Sequence, residues 1–342
     1  MIVKNEEEVL DNCLSSISDV VDEIIIVDTG SNDNTKIIAN KYTNNIYDFK
    51  WCDDFSKARN YSFSKATKDY ILWLDADDYL TLENKEKLLK LKNSLNNEID
   101  MYYFLYDFND NYQPFYRERL LKRSNNYQFK GKIHEAIIPF GKRSFVDITI
   151  NQKDKNKGLT NRNLKIFQKM NKDEFTARDY YYYARELFRH KKYNKSLVNL
   201  KKFLKCKDKY IEDEIDAYYL SSLIYAYQND IKKAKEMLFY TFNLALPRPN
   251  ILCELGNIYF NENNIESAIY YYKLALNTTK QKLNCFIHND YLGFIPAIQL
   301  CICYDILKDY RKSYEYNELA NTYKANNEFY QNNKNYLLSK LK

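Results

Sequence analysis

Over the first 80 residues, short apolar runs alternate with stretches whose apolar positions recur every three to four residues. Residues 1–3 read as a strand. Between residues 6 and 20, Val9, Leu10, Cys13, Leu14 and Ile17 fall on one face of a helix. Residues 23–27 predict a buried strand. Turn chemistry follows in Thr29-Gly30-Ser31-Asn32, with Asn32 or Asp33 placed to cap a helix reaching about Lys41. Residues 46–49 predict a short strand, 54–66 an amphipathic helix and 70–74 the next strand. Strands separated by helices of this length imply βαβ units around a mostly parallel sheet. Beyond Leu95 the pattern turns β-rich, at 101–106, 115–121, 132–138 and 144–150. Residues 151–163 are polar throughout and mark a domain boundary. The predicted division is 1–150 for an α/β domain, 151–172 for a linker with one helix, and 173–342 for an all-α domain.

Past Asn163 the period is helical everywhere, and it repeats. Four segments place a small residue first, a bulky one three on, an aromatic or β-branched one six further, and then small, bulky and apolar positions. They run Ala184/Leu187/Tyr193/Ser196/Leu200/Phe203, Ser222/Tyr225/Ile231/Ala234/Leu238/Thr241, Gly256/Tyr259/Ile265/Ala268/Tyr272/Ala275 and Cys301/Tyr304/Tyr310/Ser313/Asn317/Ala320. Small residues let paired helices approach, and the bulky ones fill the space between them. This resembles the tetratricopeptide pattern of helical hairpins, about 34 residues per unit. Asn317 puts a polar group where a core residue is expected, and reads as the polar outer face of a solenoid end.

Hydrophobic content of 45% and aromatic content of 16% describe a globular protein, and 6 Gly and 5 Pro leave little room for long linkers. No apolar run approaches 18 residues, and the N-terminus lacks a basic-then-apolar leader, so a cytoplasmic protein is expected. Seven cysteines (13, 52, 206, 253, 285, 301 and 303) form no C-x-x-C, which predicts reduced thiols, and three distant histidines (134, 190 and 288) make a histidine metal centre improbable. The net charge of +6 is uneven: residues 1–150 carry 20 Lys and Arg against 25 Asp and Glu, and the rest 32 against 21. That split is either an acidic, metal-collecting half beside a basic docking half, or lysine solvating helix faces.

Candidate chemistry gathers at strand ends in the first half. The run Tyr70-Ile71-Leu72-Trp73-Leu74 ends in Asp75-Ala76-Asp77-Asp78, three carboxylates in four positions. Like charges crowded at a sheet edge repel, and a divalent cation with phosphates on its far side would make the arrangement favourable. The competing reading is an acidic turn before the helix near Leu82. Two further segments, Val3-Lys4-Asn5-Glu6-Glu7 and the loop 27–35 with Asp28 and Thr29, fall at the same edge of a parallel sheet, where ligands usually bind. Asp53-Asp54-Phe55-Ser56-Lys57-Ala58-Arg59-Asn60 offers Asp54 as a helix cap and Arg59 as a phosphate ligand. The basic stretch Arg117-Glu118-Arg119-Leu120-Leu121-Lys122-Arg123 reads either as a solvated edge strand or as a diphosphate clamp.

Taken together, these motifs resemble family 2 glycosyltransferases of the GT-A fold. The likeness is to a bacterial subgroup with Met-Ile-Val-Lys-Asn-Glu-Glu, Val-Asp-Thr-Gly-Ser, Asp-Asp-Phe-Ser-x-Ala-Arg-Asn and Leu-Asp-Ala-Asp-Asp, standing here at 1–7, 27–31, 53–60 and 74–78. Many of its members carry C-terminal tetratricopeptide repeats, and it includes peptide S-glycosyltransferases. The resemblance implies a Rossmann-like GT-A domain followed by repeats, a UDP-linked sugar donor, and inversion at the anomeric carbon by a hexosyl- or N-acetylhexosaminyltransferase. Val3, Asn5, Glu6, Asp28 and Thr29 would hold the nucleoside, Arg59 and Arg119 the diphosphate, Asp75 the ribose or metal, and Asp77 the Mn²⁺ or Mg²⁺. Many relatives have a second Asp where Thr29 stands, which weakens the inference to uracil. The chain also starts inside what the fold would make its first strand.

Gly131-Lys132-Ile133-His134-Glu135 matches another segment of that subgroup. Inverting transfer needs one general base, for which Glu135, read as late in a strand, and His134 are the candidates; an internal His134–Glu135 pair is the alternative. The expected acceptor is a protein, a peptide or a surface glycan, positioned by the repeats, which could also form a homodimer. No nucleic-acid polymer is expected as a partner. A nucleotidyltransferase, or a scaffold with an inactive domain, are the competing classes, and the acidic, Gly-free segment after the first strand argues against the former. A chain cut near residue 155 is expected to keep a nucleotide-binding sheet.

Overall fold

A computed structural model describes the chain except residues 109–110, 154–157, 159, 279–286 and 326–328. Cys285 and part of the polar stretch 151–163 therefore lie outside the described residues. The chain divides into two compact units, Met1–Asn171 and Lys172–Lys342.

The first unit is α/β. Its elements are β1 (Ile2–Val3), α1 (Leu10–Ile17), β2 (Ile26–Asp28), α2 (Thr35–Ala39), β3 (Ile46–Asp48), α3 (Phe55–Lys65), β4 (Tyr70–Leu72), β5 (Asp78–Tyr79), α4 (Leu82–Asn93), β6 (Met101–Asp107), β7 (Phe115–Lys122), β8 (Phe129–Lys130), β9 (Ala136–Ile137), β10 (Arg143–Gln152) and α5 (Arg162–Lys169). The expected βαβ succession forms a parallel sheet in the order β1-β2-β3. A second sheet, β4-β7-β6-β10-β5, is mixed, and only its β6–β10 pair is parallel. Residues 23–25 lie outside β2 and border a cavity of about 460 Å³ also lined by residues 70–74; the Ile25 carbonyl accepts from the Met1 amine at 2.8 Å and the Ile24 carbonyl from the Thr43 hydroxyl at 2.9 Å. Tyr102, Phe104, Tyr106, Ile148 and Ile150 of the larger sheet pack with Cys13, Ile17 and Leu88 from the helices and with Val20 in the turn after α1. Helix α3 begins where Asp54 accepts from the Lys57 amide at 3.1 Å, the N-cap its sequence offers.

The second unit is all-α: α6 (Ala177–Arg189), α7 (Tyr193–Lys205), α8 (Ile211–Tyr227), α9 (Ile231–Tyr240), α10 (Pro249–Asn261), α11 (Ile265–Thr278), α12 (Phe294–Ile306), α13 (Tyr310–Tyr323) and α14 (Tyr330–Lys340). The first eight pair as four hairpins, each turning on one left-handed residue: Lys191, Asn229, Asn263 and Lys308. In each turn the next amide reaches back to the carbonyl of the bulky residue three past the small one: Lys192 to Leu187, Asp230 to Tyr225, Asn264 to Tyr259 and Asp309 to Tyr304. These are Schellman closures, which satisfy the carbonyls a helix end leaves open. The small residues act as the repeat predicts. Ser196 donates to the Ala184 carbonyl at 2.7 Å, and Ser313, at the same repeat position, to the Cys301 carbonyl at 2.8 Å.

One expectation about the repeats fails. Asn317 is fully buried, not part of a polar outer face, because α14 extends beyond the last hairpin. Its amide donates to the Tyr330 carbonyl at 3.3 Å and its oxygen accepts from Asn333 at 3.2 Å. A buried amide with both ends partnered is tolerated where an unpaired one would be costly.

Candidate active site

The loops after β1, β2 and residue 74, the start of α3, the loop 131–135, and the ends of β10 and α5 border one cavity of about 500 Å³. Among the residues expected to act, Val3, Glu6, Thr29, Arg59, Asp75, Asp77, His134 and Glu135 line it. Asn5, Asp28 and Arg119 do not.

The carboxylate cluster splits by role. Asp78 is fully buried; its Oδ2 accepts from the Asp75 amide at 2.8 Å and from Arg119 Nη1 at 2.8 Å. It closes the turn that presents its two neighbours, so one of the three carboxylates serves the fold. Asp75 Oδ1 accepts from Arg59 Nη2 at 2.6 Å. Burial works to raise the Asp75 carboxyl, but Arg59, with Arg119 and Arg117, overcomes it and holds the group well below the usual carboxylate range. Asp77 is tied to the end of β10: its Oδ2 accepts from Gln152 Nε2 at 3.1 Å, and its carbonyl from the Lys153 amide at 2.8 Å.

Arg59 was expected to face a diphosphate, but its fork is turned onto two carboxylates. Nε donates to Glu135 Oε1 at 2.5 Å while Nη2 serves Asp75, and the guanidinium lies over Trp73 and Phe129 at 5.1 and 5.2 Å. Arg59 therefore bridges the Asp75 turn to the loop of the base candidates. That loop is not a strand. Gly131 (φ 100°) and His134 (φ 51°) are left-handed, which breaks β pairing until Ala136 and brings both His134 and Glu135 to the cavity. The Phe55 amide holds it through the Lys132 carbonyl at 2.9 Å.

Three other expected ligands have structural duties. Arg119 is fully buried, paired with Asp78 and stacked between Trp73 and Tyr106 at 4.1 and 4.4 Å, so it cannot clamp a ligand. The pairing register shifts between Tyr102 and Tyr103, opposite Arg119, and a bulge of this kind re-aims a side chain against simple alternation. Asp28 is buried and accepts from the Ser31 amide and hydroxyl, the latter at 2.6 Å. Asn5 (φ 53°) ties the β1 loop to the β2 loop by accepting from the Asn32 amide at 2.8 Å.

The sequence reading gave no role to Trp51, Phe55, Ile133, Gln152, Arg162 and Asn163, which also line the cavity, as do Lys4 and Arg117 from segments it had singled out. Trp51 and Phe55 flank the acidic motif edge-to-face at 4.8 Å, an aromatic spacing visible in the sequence. Arg162 and Asn163 carry no such signal. They come from α5, which Lys169 secures to Asp53 at 2.6 Å and Arg162 to the Phe55 ring at 4.8 Å. Residue 155 is therefore not where the cavity-forming unit ends.

Among the described residues no group of three or more His, Cys, Asp or Glu could by itself hold a metal ion. Asp75 and Asp77 fit a hard divalent cation only as two oxygen donors among several, the rest coming from water or a phosphorylated ligand. No helix among the described residues is long and apolar enough to cross a membrane.

With this geometry, residues 1–153 match the model of the family described as Glycosyl transferase family 2, so the first unit carries a family 2 glycosyltransferase domain. The chain is 30% identical over 152 residues to the SPbeta prophage-derived glycosyltransferase SunS of Bacillus subtilis, covering 41% of this chain and 34% of that protein. It is 51% identical over 83 residues to a TPR repeat-containing protein of Synechococcus elongatus, covering 24% and 21%. The chain thus spans about a fifth to a third of the length of these curated relatives. Among solved structures, the type IV pilus biogenesis factor PilW aligns with a TM-score of 0.42 at 16% identity, covering 50% of this chain and 74% of that one.

Proposed function

We propose that this chain is an inverting, metal-dependent glycosyltransferase that moves a sugar from a nucleotide-sugar donor, UDP-linked, to a protein, peptide or cell-surface glycan acceptor. The observation that carries this reading is the convergence of Asp75 and Asp77 with His134 and Glu135 in one cavity, beside Val3 and Thr29, with Arg59 joining the two carboxylate ends. The family match and the likeness to SunS support the reaction class.

In this reading the Val3–Thr29 edge takes the nucleoside; Thr29 is held there by its amide and hydroxyl, both donating to the Val3 carbonyl. Asp77, with Asp75, would hold Mn²⁺ or Mg²⁺, which when bound offsets charge on the departing nucleoside diphosphate. Against the burial that would raise it, Arg59 stabilises the Asp75 anion and holds the carboxyl well below the usual carboxylate range. Glu135 or His134 takes the proton from the acceptor as it attacks, and Arg59 fixes where Glu135 Oε1 lies. The repeat unit positions the acceptor, since stacked hairpins present an extended surface.

UDP release from a panel of UDP-sugars with Mn²⁺, run beside pyrophosphate release from UTP, tests the class. UDP formation that needs Mn²⁺ and is lost in Asp77→Asn supports transfer. Pyrophosphate formation alone makes the protein a nucleotidyltransferase, and no turnover or donor binding leaves a scaffold. Glu135→Gln against His134→Ala then assigns the base: removing it lowers the rate roughly 10²–10⁴-fold with donor affinity unchanged.

A further inference from the structure

Three guanidinium groups surround the Trp73 ring, those of Arg59, Arg117 and Arg119, at 5.1, 4.6 and 4.1 Å. Two are matched by carboxylates: Arg59 by Asp75 and Glu135, Arg119 by Asp78. Arg117 has no ion pair or side-chain hydrogen bond among the described residues, yet it is half-buried against Trp73 and Tyr106 and lines the cavity with Asp75 and Asp77. Burial, and then the neighbouring Arg119, act against its charge. Asp75 and Glu118 favour its charge from a distance, but a largely desolvated guanidinium with no direct ion pair stays costly, and the ring faces of Trp73 and Tyr106 compensate for only part of that cost. Of the three arginines offered by the sequence for a diphosphate, Arg59 and Arg119 are already paired within the protein. The unmatched one faces the ligand space.

We infer that Arg117 is the anion anchor of this cavity and grips the diphosphate of the bound nucleotide. The inference rests on the nucleotide-sugar reading and deepens it. A planar fork pre-positioned by two aromatic rings suits two phosphate oxygens, and Asp75 and Asp77 line the same cavity for the cation that a diphosphate brings. The ligand thus supplies the direct ion pair that no carboxylate among the described residues gives Arg117. The aromatic stack keeps the side chain in place before binding, which reduces the ordering cost of capture.

Isothermal titration of the full chain with uridine, UDP and inorganic pyrophosphate, each with Mn²⁺, tests this in wild type, Arg117→Gln and Arg117→Lys. Charge-assisted hydrogen bonds of this kind are worth about tenfold to hundredfold in affinity. Arg117→Gln should weaken UDP and pyrophosphate by that factor and leave uridine unchanged. Arg117→Lys should fall between, because it keeps the charge and loses the fork. Wild-type binding of UDP that Arg117→Gln leaves intact overturns the proposal. So does an equal loss of uridine and UDP, which marks a structural role. Binding of pyrophosphate that depends on Arg117, with no binding of uridine or UDP, keeps the anion anchor and overturns the nucleotide reading. Absence of pyrophosphate and UDP binding in wild type overturns both.

Discussion

The two units bury polarity in opposite ways. In the first, the buried arginines are paired one by one, Arg119 with Asp78 and Arg59 with Asp75 and Glu135, through contacts separated by 16 to 76 positions in the chain, and the half-buried Arg117 is left without an ion pair among the described residues. In the second, one contact recurs. A left-handed turn, a carbonyl closure and a small residue against its partner helix reappear from hairpin to hairpin. Repetition suits a surface, since each hairpin needs only its neighbours. A reaction site needs unlike groups at one point, and only a non-repeating chain path supplies them. Damage should therefore spread through the first unit and stay local in the second.

The sharpest test concerns where the first unit ends. A chain of residues 1–155, expected from sequence to retain a nucleotide-binding sheet, lacks α5 and its buried Leu164, Ile166 and Phe167. Burial of each such side chain contributes about 1.5–3 kcal/mol. Urea unfolding followed by circular dichroism should show a cooperative transition for residues 1–171 and a much weaker one for 1–155. Equal midpoints would return α5 to the role of a linker.

Next in size is Arg119→Ala. Leaving Asp78 charged and buried without its partner should cost about 3–5 kcal/mol, read as a shift in the denaturation midpoint. Arg123→Ala, which removes one exposed hydrogen bond to the Lys68 carbonyl at 2.6 Å, should cost no more than about 1 kcal/mol. A small effect at Arg119 would free it for a ligand.

In the repeats, Gly256→Ala sets a Cβ 2.5 Å from the buried Tyr272 ring. Overpacking of that kind costs about 1–3 kcal/mol. Where the first position is Ala184 or Ser222, the facing bulky position is Leu200 or Leu238. Tyr272→Leu should therefore recover much of the loss in the double variant, less the Tyr272 hydroxyl bond to Asn257 at 2.7 Å. Additive losses in a double-mutant cycle would break the idea of a repeated small-to-large match.

The smallest effect concerns Asp213 on α8. Burial, only partly opposed by Arg178, pushes its carboxyl up to about 6. A folded value above the unfolded one contributes stability below about pH 4, and that contribution is lost as pH rises through 6. Asp213→Asn should therefore stabilise the chain by about 1 kcal/mol at pH 7.5, allowing for partial exposure, and by nothing measurable near pH 4. Thermal melts at the two values decide it, and a gain at low pH would point to another cause.

Local signals carried a good part of this. Asp54 at the start of α3 is a cap wherever that helix goes, and the small and bulky positions of the hairpins depend on helical spacing alone. The same logic found the acidic turn and the loops at the edge of the parallel strands. It could not sort Arg117 from Arg119, two residues apart on one strand, because a bulge and a buried Asp78 gave one of them a partner. Nor could it see that Asp28 and Asn5 would be used in joining loops, or that Asn317 would lie beneath α14.

By itself, then, the sequence determined the periods, the Asp54 cap and which chemical groups reach the strand ends, because these depend on neighbours within a few residues. The tertiary structure alone decided which charges neutralise one another, that 131–135 is a loop and not a strand, and that α5 helps wall the cavity. Those outcomes depend on the distance between segments far apart in the chain, and burial without a partner is costly enough that each available partner changes the role of the group it meets.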